Sequence, residues 1–152
     1  YVFMRRTVPY PMLATFDAPS REVCTLRRPR TNTPLQAFVT LNDPAFHEAA
    51  QALGRVAAVR ARTAGDRDAG LRLALWRTLQ RPPRAEELEA LGALLDDART
   101  DFAARPADAA LFAGAAESPL GPLPRGLDAV DAAAWTLVAS AALNLDAALT
   151  QR

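Results

Sequence analysis

Thr31-Asn32-Thr33-Pro34-Leu35-Gln36-Ala37-Phe38-Val39-Thr40-Leu41-Asn42-Asp43-Pro44-Ala45-Phe46 carries two helix starts in quick succession. Thr33 is an N-cap residue type, Pro34 suits the first helical position, and Gln36 stands three residues after the cap, where its side chain can reach back to the cap N–H. Asn42-Asp43-Pro44 repeats the signal, with Asp43 as cap. The spacing predicts a short helix from Thr33 to about Leu41 and a longer one from Asp43 to about Arg62. Two Pro-marked starts with no β-alternation around them point to an all-α fold.

Downstream, Thr63 to Asp66 breaks the second helix. Leu71, Ala74, Leu75, Thr78 and Leu79 then lie on one helical face, in a segment ending at Arg81. Pro82-Pro83 stops it. Glu86 and Glu87 fall in the first turn of the next helix, where carboxylates meet the positive dipole end, and Leu88, Leu91, Leu95, Ala98 and Phe102 follow at helical spacing. These two segments form a hairpin. Pro106 opens a short helix to about Ala113, Gly114 to Gly126 reads as a surface loop rich in Gly, Pro and Ser, and a last helix runs from Asp128 to the end. Trp76, Trp135, Phe102 and Phe112 are placed in the core.

Upstream, Pro9, Pro11, Pro19 and Pro29 are too close together for helices of useful length. Residues 1–32 are therefore an extended arm, and 33–152 a compact bundle of about five to six helices. The chain opens on Tyr1 without an initiator Met or a signal pattern, so the expectation is that the arm continues a region lying upstream.

The 152 residues are 50% hydrophobic and 23% charged, a globular make-up. All 18 basic residues are Arg. Residues 1–35 hold six of them against Asp17 and Glu22, which leaves the remainder net acidic. The single Cys24 excludes an internal disulfide, and it is read as a small buried hydrophobe. The longest uncharged helical stretch, Ala132 to Leu145, spans about 14 residues against the roughly 20 a bilayer requires.

Glycine-rich nucleotide loops, the Gly-x-Ser-x-Gly elbow, His-Glu-x-x-His and Cys-x-x-Cys-His are all absent from the sequence. Polar residues concentrate between Asp17 and Asp43. There Asp17 and Asp43 are candidate acid or base, while Arg21, Arg28, Arg30, Asn32, Gln36 and Asn42 are candidates for holding an anion or a partner. The competing reading makes Thr33, Asn42 and Asp43 helix caps and the charges ties between arm and helices. Cys24 and His47 could pair as nucleophile and base, although partial burial is the expected fate of His47. The Arg-rich arm could contact nucleic-acid phosphates, but its aromatics are not interleaved with the Arg residues beyond Phe16.

Thr15-Phe16-Asp17-Ala18-Pro19-Ser20-Arg21-Glu22-Val23-Cys24, Arg28-Pro29-Arg30-Thr31-Asn32-Thr33-Pro34-Leu35-Gln36-Ala37 and Leu41-Asn42-Asp43-Pro44 together resemble the C-terminal domain of unknown function 1553. Arg81-Pro82-Pro83 and the closing Leu143-Asn144-Leu145-Asp146 fit the same pattern, so the resemblance covers nearly the whole chain. It implies an exported planctomycete or verrucomicrobial protein of the periplasm or cell envelope, often carrying an upstream cytochrome c domain. Any haem c would then belong to the upstream part, with no cofactor in this segment. The first reading is a non-catalytic domain packing on upstream domains of the same protein. The alternatives are part of a site acting on anionic or sulfated polysaccharide, and a nucleic-acid-binding module.

Overall fold

A computed structural model describes residues 10–19, 24–27, 31–115 and 118–150. Among the described residues eight helices succeed one another: α1 (Pro11–Thr15), α2 (Pro34–Asn42), α3 (Pro44–Ala64), α4 (Arg67–Leu79), α5 (Ala85–Ala104), α6 (Pro106–Phe112), α7 (Ala129–Leu143) and α8 (Asp146–Leu149). No strand occurs among the described residues. The all-α expectation holds, with two more helices than the five to six read from the sequence.

The two additions have local causes. Pro11 provides a first helical position inside the arm, where the described part was expected to be extended, and a single turn forms before Phe16 and Asp17. At the other end the last helix does not run through. Asn144 ends α7, Leu145 takes an extended conformation (ψ 140°), and α8 restarts at Asp146. The Asn144 side chain faces Thr40 of α2 rather than continuing the helix face.

The predicted starts are realised bond by bond. Gln36 N–H donates to Thr33 Oγ1 (3.3 Å) and Thr33 N–H to Gln36 Oε1 (3.1 Å), a complete capping box. Asp43 Oδ1 accepts from Ala45 N–H at 2.9 Å. Gly65, at φ +64°, closes α3, and Asp66 caps α4.

α7 is the hub. Ala132, Ala133, Ala134, Trp135, Thr136, Val138, Ala139 and Ala142 are all buried, which makes it apolar nearly all round, and α3, α4, α5 and α6 pack against it. Leu71 and Leu75 of α4, Leu95 of α5 and Trp135 fill the centre. Burial of each such side chain stabilises the fold by about 1.5–3 kcal/mol. Small residues set the spacing: a Cβ on Gly54 of α3 would lie 2.8 Å from the Trp135 and Thr136 backbone.

Trp76 departs from the expected core, with 50% of its surface exposed, because α4 turns its Leu71/Leu75/Leu79 face inward and Trp76 lies off that stripe. Phe102 is buried and Phe112 half-buried, their ring centroids 5.4 Å apart. No helix among the described residues is long and apolar enough to cross a membrane.

Candidate functional site

The polar residues singled out around α2 form a hydrogen-bonded knot. Asp17 takes a left-handed conformation (φ +57°), tolerated by a short polar side chain, and its Oδ2 accepts from Thr31 N–H (2.9 Å) and Thr31 Oγ1 (2.7 Å). Gln36 is 2% exposed. Its amide nitrogen donates to the Thr15 carbonyl (2.8 Å) and Thr31 Oγ1 (3.0 Å), with Asp17 Oδ2 at 3.5 Å. One buried amide thereby ties α1, the Asp17 turn, Thr31 and the start of α2.

Asn32 and Thr40 reach the far end of the chain. Asn32 Nδ2 donates to Asp146 Oδ1 at 2.6 Å, and Thr40 Oγ1 lies 2.6 Å from Asn144 Oδ1. The closing Leu143-Asn144-Leu145-Asp146 motif thus meets the Thr31 to Gln36 motif through side chains. Asn42 Nδ2 donates to the Phe38 carbonyl of its own helix. The structure therefore gathers Asp17, Asn32 and Gln36 at one locus. Asn42 and Asp43 sit at the α2–α3 junction, each bonded to nearby backbone. Arg21, Arg28 and Arg30 lie outside the described residues.

Cys24 is exposed rather than buried. His47 is half-buried as expected, with Nε2 3.0 Å from the Phe112 carbonyl, 3.1 Å from the Gln51 amide nitrogen, and its ring edge-on to Phe112. With one Cys and one His in the chain, the residues do not fit covalent haem attachment, which requires two thiolates beside a histidine. Among the described residues no group of three His, Cys, Asp or Glu is placed to hold a metal ion.

A second polar array escaped the sequence reading. His47, Gln51 and Arg55 recur every four residues along α3 and face the α6–α7 connection. Gln51 Nε2 donates to the Phe112 carbonyl (2.9 Å). Arg55, only 6% exposed, donates to the carbonyls of Ala113 (3.2 Å), Gly114 (3.2 Å) and Gly121 (2.9 Å), while its buried Nε has no partner. The presumed surface loop is thereby held against α3, with Ala113, Gly114 and Leu127 buried. Polar residues at i, i+4 and i+8 on an otherwise Ala-rich face were the available signal.

Two surface features complete the picture. α2 is inverted: it buries Gln36 and Thr40 and presents Leu35, Phe38 (64% exposed) and Leu41 on the opposite side. An open cleft of about 820 Å³ lies between the end of α4 and α8, where Arg81 grips Glu87 with two hydrogen bonds (3.0 and 2.5 Å). Those bonds hold the Glu87 carboxyl below its ordinary range, helped by the Arg84 N–H at 2.8 Å.

No curated protein and no solved structure matches the chain. A family model does match, over residues 1–95, that is, from the arm through α4 and into α5, and its description is Protein of unknown function (DUF1553). The match takes in the capping box, the Asp17 knot and the Arg81-Pro82-Pro83 turn and covers more than half of the chain, which therefore belongs to the DUF1553 family.

Proposed function

We propose that this chain is a non-catalytic helical module that docks on a neighbouring domain of the same exported, cytochrome c-linked protein. The inverted α2 carries the reading. A short helix that turns Gln36 and Thr40 inward and Leu35, Phe38 and Leu41 outward leaves its apolar side exposed among the described residues. Contiguous exposed apolar residues on one helix face are what an interaction surface requires. Two candidate site residues are engaged otherwise: Asp43, a candidate acid or base, caps α3, and Gln36, a candidate for holding an anion or a partner, bonds to backbone and to Thr31.

The test compares hydrogen exchange over α2 in the full-length protein and in this chain alone. Docking predicts stronger protection of residues 34–42 in the full-length protein, lost on Phe38→Glu, while Phe38→Glu leaves the unfolding free energy of the isolated chain within about 0.5 kcal/mol of wild type, as an exposed position should. Equal protection in both contexts would sink the reading, as would self-association of the isolated chain through the same face. Acid–base work on an anionic polysaccharide would instead show as turnover by the full-length protein that Asp17→Ala or Asp43→Ala abolishes.

A further inference from the structure

Several of the described guanidinium groups pair with a carboxylate. Arg67 and Arg99 pair with Asp96, Arg99 also with Asp131, Arg81 with Glu87, and Arg105 with Asp101 and Asp108. Arg62 and Arg125 are two without such a partner that share one pocket. They stand together in a pocket of about 420 Å³ lined by Val59, Arg62, Thr63, Pro124 and Arg125, and neither has a carboxylate within ion-pair distance among the described residues. The nearest acids in sequence are otherwise engaged. Asp66 accepts from Asp68 N–H, and Asp128 from Asp131 N–H.

The pair is also preorganised. Arg62 Nη1 donates to the Arg125 carbonyl at 3.1 Å, which fixes one guanidinium at the base of the other residue. Gly126, at φ +74°, follows at once, and a Cβ there would fall 2.5 Å from Arg62 Nη2. The loop therefore keeps space for a guanidinium that has no acid to satisfy it. One N–H of Arg62 is used by the carbonyl, and its remaining donors and the whole Arg125 fork are left for a ligand. Two guanidinium-bearing residues lining one pocket without an acid suit a tetrahedral oxyanion, which can accept bidentate bonds from planar forks. Val59, 40% exposed, and Pro124 add an apolar wall to this open pocket.

We propose that the Arg62–Arg125 pocket binds a phosphate or sulfate group carried on a compact organic molecule, the oxyanion between the two guanidinium groups and the carrier against Val59 and Pro124. This goes beyond the docking role and does not depend on it, since the pocket lies on α3 and the loop before α7 rather than on α2.

The test is an amide chemical-shift titration of the chain with glucose 6-phosphate, with inorganic phosphate, and with sodium chloride at matched ionic strength. Expected are saturable shifts at residues 59–63 and 124–126 with glucose 6-phosphate, weaker binding of inorganic phosphate, and none with chloride. Arg125→Gln should weaken the glucose 6-phosphate affinity by about tenfold, the loss of one charge-assisted pair. Because Arg125 gives the fold only its backbone carbonyl, this variant stays folded even where Arg62→Gln loosens the loop. Arg84→Gln, at an unpaired arginine elsewhere, should change nothing. Non-saturable shifts, equal response to chloride, or an Arg125→Gln affinity equal to wild type would overturn the site. Equal affinity for inorganic phosphate would overturn the role of the apolar wall.

Discussion

Single side chains, more than surfaces, hold the irregular parts of this protein in place. Arg55 is the clearest case, because a buried cation bonded only to backbone carbonyls leaves those carbonyls orphaned when it is removed. Arg55→Met should cost about 2–4 kcal/mol in chemical denaturation, since several buried acceptors lose their partners at once. Arg55→Lys should recover only part of the loss, as one ammonium cannot span the same carbonyls. Glu87 offers a test by pH. Its folded carboxyl is held below the ordinary value of 4.5 by the Arg81 bonds, so its stabilisation is present above that value and fades as pH falls through and below it. Glu87→Gln should therefore destabilise the protein by about 0.5–1 kcal/mol at neutral pH by loss of the ion pair, since the Gln amide oxygen can still accept from Arg84 N–H. Below about pH 3 the variant and wild type should converge, and denaturation midpoints from pH 7 to 3 measure this directly.

Helices were the part of this fold that the sequence disclosed best, and the reason is chemical punctuation. Thr33-Pro34 and Asp43-Pro44 specify their starts by local bonds that need no tertiary partner, and both form as read. The break at Asn144 could not be read that way, because it depends on Thr40, a residue 104 positions distant. Trp76 was legible in principle: it lies roughly 130° round the helix from the middle of the Leu71, Ala74, Leu75, Thr78 and Leu79 stripe, at 100° per residue. Size and hydrophobicity argued for the core; periodicity argued against, and periodicity prevailed. Within the candidate site, Gln36 was legible as a capping residue, but its bonds to Thr15 and Thr31 were not, since they require the arm to fold back. Close helix approach gives the prediction at this scale. Gly54→Ala forces a Cβ to within 2.8 Å of the α7 backbone, which cannot move aside as a flexible side chain could. The expected loss is about 1–3 kcal/mol from overpacking, read as a lowered denaturation midpoint at unchanged helix content. A Gly54→Ala midpoint equal to or above wild type, as helix propensity alone would give, would show that α3 and α7 have room to part.

At the scale of the whole molecule, the start and end of the described chain are coupled through α2. Thr40 and Asn144 meet at 2.6 Å, and Asn32 and Asp146 meet at 2.6 Å, so α2 and the residues just before it share two polar ties with the α7–α8 junction, outside the apolar centre formed by α3, α4, α5 and α7. A hydroxyl has one proton to give, and Thr40 also lies 2.9 Å from the Ala37 carbonyl. Both contacts are satisfied together when the Asn144 amide presents its NH2 to Thr40 Oγ1. Local opening free energies are lowest where few apolar contacts secure an element, and these ties therefore decide how often the two regions open. Thr40→Val keeps the shape and removes the hydroxyl, leaving the Asn144 amide short of a partner. Amide exchange should accelerate by about tenfold in α2 and at residues 144–150 together, corresponding to ~1.4 kcal/mol, while the centres of α3 and α5 keep wild-type protection. Acceleration confined to α2 would mean that the α8 region is secured by its own contacts with α4 and α7, and that the two ends open independently.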